Sequence, residues 1–136
     1  MHLLLAAALL AAQHDMFCDD VRKLVESAKE PVPFATLRAQ GFAPHFELPC
    51  QPNGRGYRCH RSLLPPALNH QSLAARISGC LSEAKISVEK PDRWSLPVTV
   101  VSGEGLRFEL EETGSDIAHV GRILSMTIAA APAAAD

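Results

Sequence analysis

The chain has 136 residues, room for one domain with a core of modest size. Lys and Arg number 13 against 15 Asp and Glu, a formal net charge of −2. That balance excludes the clustered basic footprint of a nucleic-acid binder and gives no basic amphipathic face for a membrane surface.

The first twelve residues, MHLLLAAALLAA, carry no Lys, Arg, Asp or Glu. Leu3 to Ala12 is about half of the roughly 20 residues that a membrane-spanning helix needs. It has the length of a secretory signal core, and Ala11 and Ala12 are small residues suited to cleavage. Residues 1–12 are therefore expected to be a signal peptide, residues 13–129 a single α+β domain, and residues 130–136 a disordered Ala/Pro tail. Cleavage after Ala11 would leave Ala12-Gln13-His14, a free amine with histidine third, which suits Cu(II); cleavage after Ala12 would not. Cys18 follows His-Asp-Met-Phe rather than a small-residue lipobox, which argues against a lipid anchor.

From Asp15 to Lys29 the pattern is helical, with Phe17, Val21, Leu24, Val25 and Ala28 on one face. Glu30-Pro31-Val32-Pro33 ends that helix, because proline cannot continue it. Residues 34–42 are expected to be extended. Residues 44–51 alternate Phe46, Leu48 and Cys50 against His45, Glu47 and Pro49, as in a half-buried strand. After the turn, Tyr57, Cys59 and Arg61 share one face, and Arg58 and His60 the other. Pro65 and Pro66 suit the start of a second helix, expected over 66–84, with Leu73, Ile77, Cys80, Leu81 and Ala84 on its apolar face.

The remainder reads as strands. Ile86 and Val88 suggest a short one. Residues 94–102 follow, with Leu96, Val98 and Val100 inward and Pro97 at an edge or a non-bonded position. Residues 106–112 place Leu106, Phe108 and Leu110 inward. Pairing Val100 with Phe108 leaves a three-residue loop, Gly103 to Gly105. Gly114-Ser115-Asp116 is turn chemistry. Residues 120–129 place Leu124, Met126 and Ile128 inward and Ser125 and Thr127 outward. The fold class is α+β: two helices packed on one face of an antiparallel sheet, in the order helix, hairpin, helix, meander.

Cys18, Cys50, Cys59 and Cys80 are an even set behind a signal-like leader, the mark of a disulfide framework in an oxidising compartment. No C-x-x-C spacing supports thiol redox chemistry or a four-cysteine zinc site. Hairpin parity separates the pairings. An Asn53-Gly54 turn would set Cys50 opposite Tyr57. A Gly54-Arg55 type II′ turn sets Cys50 opposite Cys59, with glycine at the first central position as that turn requires, and a four-residue loop from Asn53 to Gly56 gives the same pairing. The same register leaves Pro52 at a non-bonded position, where its missing N–H costs nothing. Opposed residues there lie about 4.5–5.5 Å apart at Cα, inside the disulfide window of roughly 4.4–6.8 Å. Cys18 and Cys80 then pair between the two helices, closing the longer and more stabilising loop.

No catalytic constellation stands out. Serine occurs in neither G-x-S-x-G nor S-x-x-K, and Asp19-Asp20 and Glu111-Glu112 are neighbours rather than a glycosidase pair. His45, His60 and Glu47 on one hairpin face are the candidate metal ligands of a small hydrolase, with His70 a further histidine, though no H-E-x-x-H spacing exists. Arg55, Tyr57 and Arg58 at the stapled tip are the candidate interaction residues, because Tyr and Arg anchor interfaces and a rigid tip loses little entropy on binding.

Cys18, Pro33-Phe34, Leu37-Arg38, Leu48-Pro49-Cys50, Tyr57-Arg58-Cys59 and Cys80-Leu81 together resemble a group of small exported bacterial four-cysteine proteins of unknown function. The resemblance covers residues 16–85. It implies an α+β domain with two disulfides and brings no catalytic residues. The expected role is a non-enzymatic periplasmic or secreted bacterial domain that binds a protein or cell-envelope component, without cofactor or nucleic acid and without a membrane span after signal removal. An inhibitor of a lytic or proteolytic enzyme is one form of this role. The alternative is the metal-dependent hydrolase.

Overall fold

A computed structural model describes residues 16–90, 92–114 and 121–132. The expected signal segment, the His14 terminus, Ser115 and Asp116 of the turn, and residues 133–136 of the tail lie outside them. The chain is α+β, with helices α1 (Met16–Ala28), α2 (Ala35–Ala39) and α3 (His70–Gly79). Its strands are β1 (Cys50–Asn53), β2 (Gly56–Arg61), β3 (Lys85–Glu89), β4 (Val98–Gly103), β5 (Leu106–Gly114) and β6 (Arg122–Ala130). They form one antiparallel sheet in the order β1-β2-β6-β5-β4-β3.

Helix α1 buries Phe17, Val21, Leu24 and Val25, the stripe its periodicity predicts. The extended segment expected after it is instead the short helix α2. Phe34 takes φ 63° and its N–H donates to the Ser27 carbonyl at 2.9 Å. The Glu30 carboxylate accepts from the Thr36 N–H at 2.9 Å and hydroxyl at 2.8 Å, and from the Ser27 hydroxyl at 2.7 Å. These bonds satisfy a donor at the start of α2 and hold the Glu30 carboxyl below its ordinary value, the Thr36 N–H being the largest cause.

The strand expected over 44–51 contracts to β1 and a lone bridge between His45 and Pro49. Glu47 takes φ 60° and breaks the ladder. Phe46 and Leu48 still point inward and are fully buried, the Phe46 ring lying 4.9 Å from Phe17 and 6.3 Å from Phe108.

Helix α3 is shorter than expected. It starts behind Asn69, whose side chain accepts from the Ser72 N–H at 2.8 Å while the Ser72 hydroxyl accepts from the Asn69 N–H at 3.0 Å. Pro65 opens a turn instead, closed by the Leu68 N–H on its carbonyl. Arg122 donates to the carbonyls of Leu68 at 2.9 Å and Pro65 at 3.0 Å. Gly79 ends the helix with nothing within 4 Å of a Cβ built there. Gly79→Ala should therefore stabilise the chain by about 0.5 kcal/mol through lost unfolded-state freedom. A higher urea midpoint at unchanged slope is the expected reading, and a lower one would contradict the open surroundings.

The β4–β5 register differs by one residue from the expected one. Val101, not Val100, lies opposite Phe108, and the turn has two residues, Glu104 and Gly105. Both have positive φ, 48° and 81°, the pattern of a type I′ turn. Glutamate holds this backbone because its carboxylate accepts from Arg22 at 2.6 Å and from the Ser82 N–H at 3.0 Å. Leu96, expected inward, is exposed. Val98 and Val100 lie on the face opposite Phe108, yet Val100 is buried. Arg107 pairs across from Ser102 but reaches Glu89, which pairs with Val98. Its stem thus passes over the Val100 row and shields it.

The Arg22 hydrogen bond, then the Ser82 N–H, hold the Glu104 carboxyl below its ordinary value. A depressed folded-state carboxyl contributes stability at neutral pH and loses it as pH falls through that depressed value. Glu104→Gln should flatten the decline of melting temperature at acid pH, leaving the share that Glu30 and Asp92 supply in the same direction. An unchanged acid slope would remove Glu104 from the account.

Register alternation sorts the sheet residues. Tyr57, Ile128, Phe108 and Val101 form one paired row, and Cys59, Met126, Leu110 and Thr99 the next on the same face. All eight are buried, and all but Thr99 join a cluster that includes Phe17, Val21, Leu24 and Val25 of α1 and Leu73, Ala74 and Ile77 of α3. Ala130 pairs with Leu106 and the Ala131 N–H reaches the Gly105 carbonyl at 2.8 Å, so β6 runs past the expected end of the domain.

Candidate functional site

The β1–β2 tip follows from its turn. Gly54 has φ 60° as first central residue of the Gly54-Arg55 turn. Asn53 then faces Gly56, Pro52 faces Tyr57, and Cys50 faces and bonds Cys59. Cys18 bonds Cys80 across a Cα separation of 5.1 Å, tying α1 to the C-cap of α3. The two bonds agree with an oxidising compartment, and among the described residues no helix is long and apolar enough to cross a membrane.

Of the three candidate tip residues, Tyr57 leaves the surface. It shares the inward face of Cys59 and is fully buried. Its hydroxyl donates to the Phe42 carbonyl at 2.9 Å, and its ring meets Phe34 and Phe42 edge-on. Burial pushes its phenol upward, against a smaller downward pull from Arg38. Arg55 and Arg58 remain exposed.

Arg58 points from the opposite face, in the paired row Gln51, Arg58, Thr127, Glu109. It lies between two adjoining hollows. One, of about 400 Å³, is bounded by Pro49, Cys50, Gln51 and His60. The other, of about 200 Å³, is bounded by Val98, Glu109, Glu111, Ser125 and Thr127. Among the described residues neither the Arg58 guanidinium nor the Glu111 carboxylate has a hydrogen-bond or ion-pair partner. Glu109 is held by Arg107 at 2.8 Å. The His60 ring lies 3.2 Å from the Ser125 hydroxyl and 3.4 Å from that of Ser62. The surface therefore offers an unpaired guanidinium, an unpaired carboxylate and hydroxyls on a stapled sheet. Sequence alternation marks Glu109, Glu111, Ser125 and Thr127 as outward. Only the insertion of β6 between β2 and β5 brings them to Arg58.

The expected His45/His60/Glu47 cluster does not assemble. The Glu47 turn carries His45 and Glu47 away from the hairpin, into a hollow with Met16, Phe17, Asp20 and Arg76. There Arg76 pairs with Glu47 at 3.3 Å and lies 4.1 Å over the Phe17 ring. His60 remains beside Arg58, and His70 faces the Thr99 hydroxyl at 2.9 Å. Among the described residues no three His, Cys, Asp or Glu side chains are placed to hold a metal ion. A wider groove of about 570 Å³ runs along α1 past Leu37, but several of its charges are engaged within the fold: Glu30 by Ser27 and Thr36, Arg22 by Glu104. Comparison with known protein families, curated proteins and solved structures finds no match to this chain.

Proposed function

We propose that the chain is a non-enzymatic bacterial domain, exported to the periplasm or beyond, that binds a protein or cell-envelope component through the polar face of its sheet. In this reading the helices cover one face only. The other face presents Arg58 on the strand next to its β1 edge and Arg55 at the hairpin tip. The observation that carries the reading is Arg58, a guanidinium with no partner among the described residues, set beside a disulfide and flanked by two hollows. Arginine is favoured at interface centres because its planar fork binds carboxylates and backbone carbonyls at little ordering cost when its base is rigid. Inhibition of a lytic or proteolytic enzyme is one way such a face would act.

Immobilised oxidised protein should retain a defined component from an envelope extract, and Arg58→Glu should cut that retention at least about tenfold. Its melting temperature should fall only slightly, since the Arg58 side chain has no partner among the described residues and the new carboxylate is solvent-exposed beside Glu109 and Glu111. Recovery of nothing by the wild type, or equal recovery by the variant, would overturn the assignment.

A further inference from the structure

The two edges of the sheet differ. In the β1–β2 hairpin Asn53 and Gly56 close the turn, so Pro52 directs its main chain outward, where it has no N–H to offer. That edge is blunted. The β3 edge is not. The two-residue turn makes Gly103 and Leu106 the bonded closing pair, and alternation then aims Ser102, Val100 and Val98 at β3. Their partners Lys85, Ser87 and Glu89 face β4. Ile86 and Val88 therefore direct both N–H and C=O groups away from β4, where no described residue pairs with them.

The side chains there are apolar. Ile86 is 50 % and Val88 68 % exposed. Among the described residues, four of the seven large apolar side chains that stand exposed are Ile86, Val88, Trp94 and Leu96, so such surface concentrates on β3 and the loop after it. Bare strand edges with apolar side chains are surfaces that pair with another chain.

The segment Lys85-Ile86-Ser87-Val88-Glu89 also names its partner. We propose that β3 pairs antiparallel with β3 of a second copy about a twofold axis at Ser87, joining two sheets into one of twelve strands. In that register Ile86 faces Val88 of the second copy, and these are the residues whose backbone groups point outward. Lys85 faces Glu89 of the second copy, twice by symmetry, as an isologous interface requires. Shifting the axis to Ile86 or Val88 sets Lys85 or Glu89 opposite serine and forfeits the charge pairing. Glu89 already bonds Arg107 at 2.7 Å on its own chain, so its carboxylate is positioned on the face that Lys85 of the second copy would share. A foreign strand would have to supply this alternation of charge and apolar side chain; the chain's own copy supplies it by symmetry.

An edge pairing of this size makes a weak, reversible dimer, with a dissociation constant on the order of 10–100 μM. Sedimentation of the oxidised protein should show it. Lys85→Glu and Glu89→Lys should each weaken it about tenfold or more, because each sets like charges opposite twice. An equimolar mixture of the two variants should restore association, since the reversed position 85 of one then meets the reversed position 89 of the other. Misfolded variants could not give that rescue. Val88→Pro removes an outward N–H and no bond to β4, so it should leave the thermal melt intact and abolish dimers. A wild type that stays monomeric at about 1 mM, a mixture no tighter than its components, or undiminished association of Val88→Pro would each overturn the pairing.

Discussion

Replacing Cys18 and Cys80 with alanine should lower the melting temperature more than replacing Cys50 and Cys59. The first bond spans 62 residues and the second 9. Loop-entropy reasoning assigns about 4.3 and about 2.7 kcal/mol to them, a gap worth about 5 °C in a chain of this size. Position reinforces the ranking. Cys18 lies one residue after Phe17, at the start of a helix whose inner face supplies Val21, Leu24 and Val25 to the core. Cys80 caps α3. Without their bond, α1 keeps its packing, the Arg22–Glu104 pair and the Ser27 bonds, but its first turn is free to fray. The Cys50–Cys59 bond fixes a four-residue edge strand that retains its pairing from Gln51 to Asn53. Alanine is the right replacement because Cys59 is fully buried, and a serine hydroxyl there would add a burial penalty unrelated to the bond. Equal losses, or the reverse order in matched thermal melts of the oxidised proteins, would count against this account.

The parts of the fold that were legible are those where two local constraints agree. At the hairpin, glycine at a position needing positive φ and proline at one needing no N–H both select the register that joins Cys50 to Cys59. Strands β5 and β6 alternate without interruption, and their inward residues are buried as read. In β4, by contrast, Val98, Val100 and Val101 put valine on both faces, so period two does not decide which faces the core. What decides is Glu104, which no turn rule favours. Its left-handed backbone is held by Arg22, 82 positions away. The segment after α1 shows the same limit. Phe34 is an unfavourable residue for positive φ, held by a bond to Ser27 that composition does not reveal. In α3, two prolines outweighed the quieter Asn69/Ser72 capping box.

The candidate site divides likewise. Parity along β2 is enough to separate Arg58 from Cys59. It also predicts that Tyr57 shares the inward face, which is why only Arg55 and Arg58 of the three stand exposed. The neighbours of Arg58 come from β5 and β6, roughly 50 to 70 positions away in the sequence. No local pattern records that β6 enters between β2 and β5. A continuous strand over 44–51 would bring His45 to His60, and one left-handed residue, Glu47, prevents it.

Gly56→Ala should be the most damaging of the glycine replacements in the hairpin, although Gly54 occupies the turn itself. Gly54 has positive φ and nothing within 4 Å of a Cβ, so alanine there costs about 1 kcal/mol of backbone strain. Gly56 has no unusual φ. A Cβ there would instead drive into the carbonyl oxygen of Ile128 and approach the Ile128 carbonyl carbon at 3.1 Å. Those are backbone atoms, and Ile128 pairs with Tyr57 on one side and Phe108 on the other. It cannot move without disturbing both ladders, so relief requires β2 to part from β6 at its first residue. Overpacking against such a wall costs about 3 kcal/mol or more. The stretch that parts carries Arg55 and Arg58, so under the proposed function the same variant should also lose retention of the envelope component. Denaturant midpoints of Gly54→Ala and Gly56→Ala, measured with both disulfides intact, test this directly. A milder effect at Gly56 would mean that the β2–β6 seam opens at the tip without cost, and that the Arg58 surface is less rigid than its staple implies.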